Sequence, residues 1–208
     1  MVSWFRDELG HKEQEEARRK GVLPEELFNE LLAAEPPGCT GLMMQPYWGP
    51  GLKDPMAKGA FLGFGDMHTR SSMYRATIEG IGYALRDGLE TLEKRGRFQS
   101  ERIAVSGGAS QSDLICQISA DILGRPHLRG ETYETSSLGA AILTSTGLGL
   151  HPSIDDAVAA MVRYKTEFKP RSENTNLYSR LFGVYKKIYP RLNGLYQDIQ
   201  TITGYPEL

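Results

Sequence analysis

Glu101-Arg-Ile-Ala-Val-Ser-Gly-Gly-Ala-Ser-Gln-Ser-Asp-Leu-Ile-Cys-Gln-Ile-Ser-Ala-Asp-Ile-Leu-Gly124 is the stretch on which the reading of this chain turns. A short apolar run, 102–105, stops at two glycines. Small polar residues follow, and an amphipathic helix then runs to Leu123. The pattern predicts a strand–turn–helix whose turn is mostly backbone. Such a turn can bring amide N–H groups to a phosphate at the positive end of the helix. Taken alone, the string fits a plain tight turn equally well, because glycine is common punctuation.

Outward from the turn, the pattern keeps alternating between strand and helix. Toward the N-terminus, Tyr74, Ile78, Ile81, Leu85, Leu89 and Leu92 recur at steps of three and four and predict the longest helix. Thr69 or Asp66 could cap its start, and Gly96 suits its end. Strand-like runs are expected at 41–48 and 60–64, with a Gly/Pro loop, 49–59, between them. Pro24 opens a helix that Pro36-Pro37-Gly38 ends. Residues 11–20 are almost all charged and fit an exposed helix or loop. Trp4, Phe5 and Leu9 share one face of a helix already under way.

Toward the C-terminus, Gly124-Arg-Pro126 breaks the helix and 127–129 could be a short strand. Residues 136–146 are small and apolar, which predicts a tightly packed buried helix. A short helix is expected over 154–161. From Asn174, Leu177, Leu181, Tyr185, Ile188, Leu192 and Leu195 predict one long helix kinked at Pro190. About four strands interleaved with six or seven helices predict an α/β fold with a largely parallel sheet, unfinished in that four strands are few for so many helices.

Composition narrows the function classes. The chain has 208 residues, 40% hydrophobic and 24% charged, with a formal net charge of −2. That describes one domain or two small ones, with no field favouring nucleic acid or an anionic membrane. No apolar run approaches the roughly 20 residues that span a bilayer. The N-terminus has no signal-peptide pattern. Cys39 and Cys116 have no metal spacing, and two free thiols fit a cytoplasmic setting.

At the glycine turn the chain resembles the FGGY family of carbohydrate kinases. The resemblance rests on Gly107-Gly108-Ala109-Ser110-Gln111-Ser112, Ala120-Asp121-Ile122-Leu123-Gly124-Arg125-Pro126 and Gly139-Ala140-Ala141. Pro46-Tyr47-Trp48, Lys58-Gly59, Arg75-Ala76, Glu79-Gly80, Phe168-Lys-Pro170 and Trp4-Phe5-Arg6-Asp7 add to it. It implies an actin-like (ribonuclease H-like) ATPase fold, of which this chain looks like the C-terminal nucleotide-binding domain. Residues 1–40 would be a helical segment opening that domain and 41–208 its body. The domain's first strands would be missing and the N-terminal sugar-binding domain absent.

The resemblance further implies ATP and Mg²⁺ as cofactors and a sugar or polyol hydroxyl as phosphoryl acceptor. Gly107, Gly108, Ala109 and Ser112 would contact the nucleotide, and Val2 and Ser3 would border the adenine. Most sugar contacts and the catalytic base would lie outside this chain, leaving no catalytic residue within it. Asp66, in Gly65-Asp66-Met67, is a helix-start residue and no substitute for that base.

Blander roles stand beside these. Ser110, Gln111 and Asp113 could simply cap the helix. His68 has no second ligand at a metal spacing and reads as a surface or capping histidine. Cys116 reads as core. The tyrosines of the tail read as packing, since no basic patch accompanies them. Two other function classes remain: a non-catalytic ATP-binding or assembly module, and a dinucleotide oxidoreductase. Gly-Gly-Ala-Ser fits the last poorly, because it is not Gly-x-Gly-x-x-Gly. Strand edges left open would invite a homodimer.

Overall fold

The computed structural model of the protein describes residues 1–48 and 55–205. Residues 49–54 of the expected Gly/Pro loop lie outside the described residues. Three short helices lead: α1 (Val2–Leu9), α2 (His11–Lys20) and α3 (Pro24–Ala33). A two-stranded antiparallel ribbon follows, β1 (Met43–Gln45) with β2 (Ala60–Leu62), and then the long α4 (Arg70–Gly96). β3 (Ile103–Val105), α5 (Asp113–Leu123), β4 (His127–Gly130), α6 (Thr135–Gly147), α7 (Ile154–Met161) and β5 (Tyr164–Phe168) come next. α8 (Ser172–Tyr185) and α9 (Ile188–Thr203) close the chain.

α4 is the axis of the molecule. Its start is set by reciprocal hydrogen bonds: Ser71 N–H donates to Thr69 Oγ1 at 3.2 Å, and Thr69 N–H donates to Ser72 Oγ at 2.9 Å. Thr69 rather than Asp66 is therefore the cap. His68 Nδ1 accepts from Gly65 N–H at 2.7 Å and so closes the preceding turn. At the other end the left-handed residue is Arg97, one place beyond Gly96. The apolar stripe of α4 packs Tyr74, Ile78 and Tyr83 against Phe5, Phe28 and Leu32 on one side. On the other side lie Ile118, Ile122, Tyr178, Phe182 and Tyr185. Phe5, Phe28 and Tyr74 form a ring trio with centroids 4.8–5.9 Å apart.

A polar knot sits inside this core. Arg75 Nε donates to Glu79 Oε1 at 2.8 Å, and its Nη1 donates to the carbonyls of Leu32 and Glu35. Tyr178 O–H and Gly38 N–H donate to the same Glu79 oxygen at 2.8 and 3.0 Å. A buried carboxylate is tolerable only when paired and hydrogen-bonded in this way. Near the chain start, Trp4 and Trp48 meet edge to face at 5.2 Å.

Several expectations are corrected. The sheets are not largely parallel: β3–β4 is parallel, while β4–β5 and β1–β2 are antiparallel. The expected strands at 41–48 and 60–64 shrink to three residues each. β5 was not foreseen because Tyr-Lys-Thr-Glu-Phe has no apolar run; it is an exposed edge strand. The tail helix is not merely kinked. α8 ends at Tyr185 and α9 starts anew, which places Pro190 in its first turn, where a missing N–H costs nothing. α6 is present but not buried: only Ile142 is, and Leu143 is 62% exposed. Small residues are compatible with close packing but do not create the neighbour.

Candidate functional site

β3 leads directly into the glycine turn. Gly107 has φ 80° and ψ −177°, a conformation open in practice only to glycine. Its carbonyl accepts from Ser110 N–H at 3.1 Å and from Ser110 Oγ at 2.7 Å, closing the turn. A short 3₁₀ turn, Gly108–Gln111, connects to α5. Ser112 caps α5: its Oγ accepts from Ile115 N–H at 3.3 Å and donates to Asn29 Oδ1.

A basic side chain braces the turn from beneath. Arg129, on β4, donates to the Ser110 carbonyl at 3.1 Å and pairs with Asp113 at 2.6 Å. Its guanidinium lies 5.2 Å from the centre of the Phe168 ring. Cys116 Sγ also donates to the Ser110 carbonyl at 3.3 Å, and burial pushes its thiol pKa up. It is a packed thiol, not a nucleophile.

The expected amides divide into two kinds. Gly107 N–H is taken by the Tyr133 carbonyl at 3.3 Å and is not open to a ligand. Among the described residues, the N–H groups of Gly108 and Ala109 have no acceptor, and both residues are exposed. A Cβ built on Gly107 or Gly108 would meet nothing within 4 Å. The turn therefore faces open space, with the N-terminal end of α5 behind it. Such an arrangement can receive an anion.

Beside the turn lies an apolar cavity of about 500 Å³, lined by Val2, Ile81, Leu85, Val105, Ala109 and Ile115 among others. Ser119 and His127 are polar groups on its wall. His127 Nδ1 is 2.9 Å from the Arg125 carbonyl, which can only accept, so the proton sits on Nδ1. Nε2 then accepts from Ser119 Oγ at 3.1 Å. Burial pushes the His127 pKa down and keeps the ring neutral.

The structure thus brings Val2 and Ala109 to one cavity and leaves Gly108 on the neighbouring rim. Ser3 points elsewhere, exposed on α1 and not among the lining residues. Ser112 is held by capping and by Asn29. Arg129, Tyr133 and Asn29 were missed in the sequence: each acts through fold contacts that no local pattern announces. Among the described residues, no group of three or more His, Cys, Asp or Glu side chains could hold a metal ion. Chemically, an apolar slot beside free amides suits a flat base joined to a phosphate chain.

Comparison with known proteins identifies the family and the fold. Residues 1–148 match the model of the FGGY family of carbohydrate kinases, C-terminal domain. The chain is 35% identical over 188 residues to the uncharacterized sugar kinase YgcE of Escherichia coli, covering 90% of this chain and 38% of that protein. It is 35% identical over 184 residues to a xylulose kinase of Staphylococcus epidermidis, covering 86% and 36%. The crystal structure of xylulose kinase from Rhodospirillum rubrum superposes with a TM-score of 0.80 at 30% identity, covering 94% of this chain and 38% of that one. The chain thus spans somewhat over a third of the length of these relatives, and its actin-like α/β fold is part of theirs. The sequence match, the shared fold and the open glycine turn agree: this chain belongs to the FGGY family of carbohydrate kinases, within its C-terminal domain.

Proposed function

We propose that this chain is the nucleotide-binding part of a carbohydrate kinase that transfers the γ-phosphoryl group of ATP to a sugar or polyol hydroxyl. The observation that carries the reading is the pair of unclaimed amides, Gly108 and Ala109, at the helix end beside the apolar cavity. The adenosine would occupy the cavity near Val2 and Ala109, and Gly108 would approach the phosphates. Gly107 and Ser112 would shape the turn, and Ser3 would lie at the periphery. Mg²⁺ would arrive on the triphosphate and supply charge neutralisation. The chain's own residues would bind and orient the donor, which is most of what phosphoryl transfer asks of a protein.

The acceptor and its base would come from polypeptide beyond these residues, with residues 1–40 a helical opening to the domain formed by 41–208. We place the protein in the cytoplasm. Among the described residues no helix is long and apolar enough to cross a membrane. β3 pairs only with β4 among them, so its free edge could seat a second copy.

Titration calorimetry with Mg-ATP tests the donor site. The expected dissociation constant is about millimolar, or roughly 4 kcal/mol. A coupled assay with glycerol, gluconate and xylulose should show no ADP release from residues 1–208 alone. Turnover would mean that the chain carries its own base. No heat with ATP would remove the nucleotide reading.

A further inference from the structure

Ser110 is the buried hub of the glycine turn, only 4% exposed. Its N–H and its Oγ both donate to the Gly107 carbonyl, at 3.1 and 2.7 Å, and so turn that oxygen inward. A trans peptide is planar, with its C=O and N–H on opposite sides. Holding the Gly107 oxygen inward therefore aims the Gly108 N–H outward, to the open side where a phosphate would approach.

What holds Ser110 comes from another layer. Its carbonyl accepts from Arg129 Nη1 at 3.1 Å and from Cys116 Sγ at 3.3 Å. A thiol is a weak donor and a guanidinium a strong one, so Arg129 is the firmer of the two holds. Arg129 sits beneath the turn because it lies opposite Val105 in the parallel β3–β4 register. It is itself fixed on three sides. Nη1 meets Asp113 Oδ1 at 2.6 Å, Nη2 donates to Thr166 Oγ1 at 3.3 Å, and the guanidinium lies over the Phe168 ring. The Asp113 side chain is 73% exposed, so that pair contributes little by itself. The bond into the buried Ser110 carbonyl is the one that shapes the turn. Arg129 does not line the apolar cavity.

We propose that Arg129 is the positioning residue of the glycine turn: by holding the Ser110 carbonyl it keeps the Gly108 N–H aimed at the open side, and so sets the affinity for ATP without touching it. The identity of the ligand rests on the nucleotide reading above, whereas the orientation of the turn can be read without any ligand.

The test uses the ¹⁵N-labelled 208-residue protein and its variants Arg129→Lys, Arg129→Met and Thr166→Val. Lysine keeps the positive charge but has no planar fork, so it cannot hold Ser110, Asp113 and Thr166 together. Without nucleotide, the Gly108 and Ala109 amide resonances should shift and their order parameters fall in both Arg129 variants, while the amides of α4 stay still. With Mg-ATP, both variants should bind about tenfold more weakly at unchanged stoichiometry, the usual effect of losing one hydrogen bond from a charged group. An arginine that only stabilised the fold would lower the melting temperature and leave the affinity of the folded protein alone. One that acted by charge alone would be replaced in full by lysine. Thr166→Val should move the same two amides by less, and it decides the question should both Arg129 variants fail to fold. Unmoved Gly108 and Ala109 amides, or parental ATP affinity in Arg129→Lys, would overturn the proposal. Moved amides in a protein whose parent binds no Mg-ATP would support Arg129 as the brace of the turn and remove the nucleotide reading instead.

Discussion

A methyl group placed on Gly108 would touch no atom within 4 Å, and the residue lies outside the left-handed region. Gly108→Ala or Gly108→Val should therefore leave stability within about 0.5 kcal/mol of the parent, the ordinary range of a surface change. ATP affinity should still fall at least tenfold (about 1.4 kcal/mol), because the side chain would fill the space where phosphate must approach. Gly107→Ala should behave oppositely and cost about 1–3 kcal/mol of stability, because φ 80° with an extended ψ excludes a Cβ. Urea melts and ATP titrations of the same variants separate the two effects. A third prediction concerns Glu79. Glu79→Ala leaves the Arg75 guanidinium buried without its carboxylate, and should cost roughly 3–5 kcal/mol. In the sequence Arg75 and Glu79 entered only as part of the family resemblance. Their third member, Tyr178, lies 99 positions away and could not be seen.

Elements were legible where periodicity was strong and illegible where tertiary context decided. α4 was expected nearly to the residue, because an apolar stripe and the candidate cap Thr69 define it locally, whereas the cap of α5 is Ser112 and not Ser110, Gln111 or Asp113 as expected. The burial of α6 was not readable, since Gly139-Ala140-Ala141 reports size and not contact. The nucleotide turn was readable as glycine and small residues. Its brace, Arg129, was not, because the parallel pairing of β3 with β4 is what delivers it. One helix-to-strand approach makes its own prediction. A Cβ on Gly80 would sit 2.4 Å from the Met44 carbonyl oxygen, so Gly80→Ala should push β1 off α4 and cost about 1–3 kcal/mol. Thermal melts check it. His127, at the start of β4, links this layer to pH. Its folded pKa lies below the ordinary 6.5, so the unfolded chain binds the proton more readily. The contribution is fully present above about pH 6.5 and is lost as pH falls toward the folded pKa. Melting temperature should drop over that interval, and His127→Gln should flatten the drop.

At the scale of the whole molecule, one aromatic and aliphatic core ties α1, α3, α4, α5 and α8 together, while the β3–β4–β5 sheet stands at its side. Residues 1–40 are not an appendage, since Phe5, Phe28 and Leu32 are wholly buried in that core. The same layout puts α6 and α7 outside it, with Leu143, Leu148, Leu150 and Ile154 each more than half exposed. Fold class was legible because strand and helix signals alternate. Strand direction and order were not, since strands as short as three residues carry too little pattern to choose a partner.

The contact between Trp4 and Trp48 has a practical consequence. They are the chain's two tryptophans, and both stand where α1 meets the segment after β1. Indole emission is thus a spectroscopic gauge of that single corner, whereas tyrosine absorbance is weighted toward the ring cluster of α4 and α8. Superimposable urea curves from the two signals would mark one cooperative unit. An earlier red shift of the indole signal would show the N-terminal helix peeling away while the tyrosine cluster stays closed.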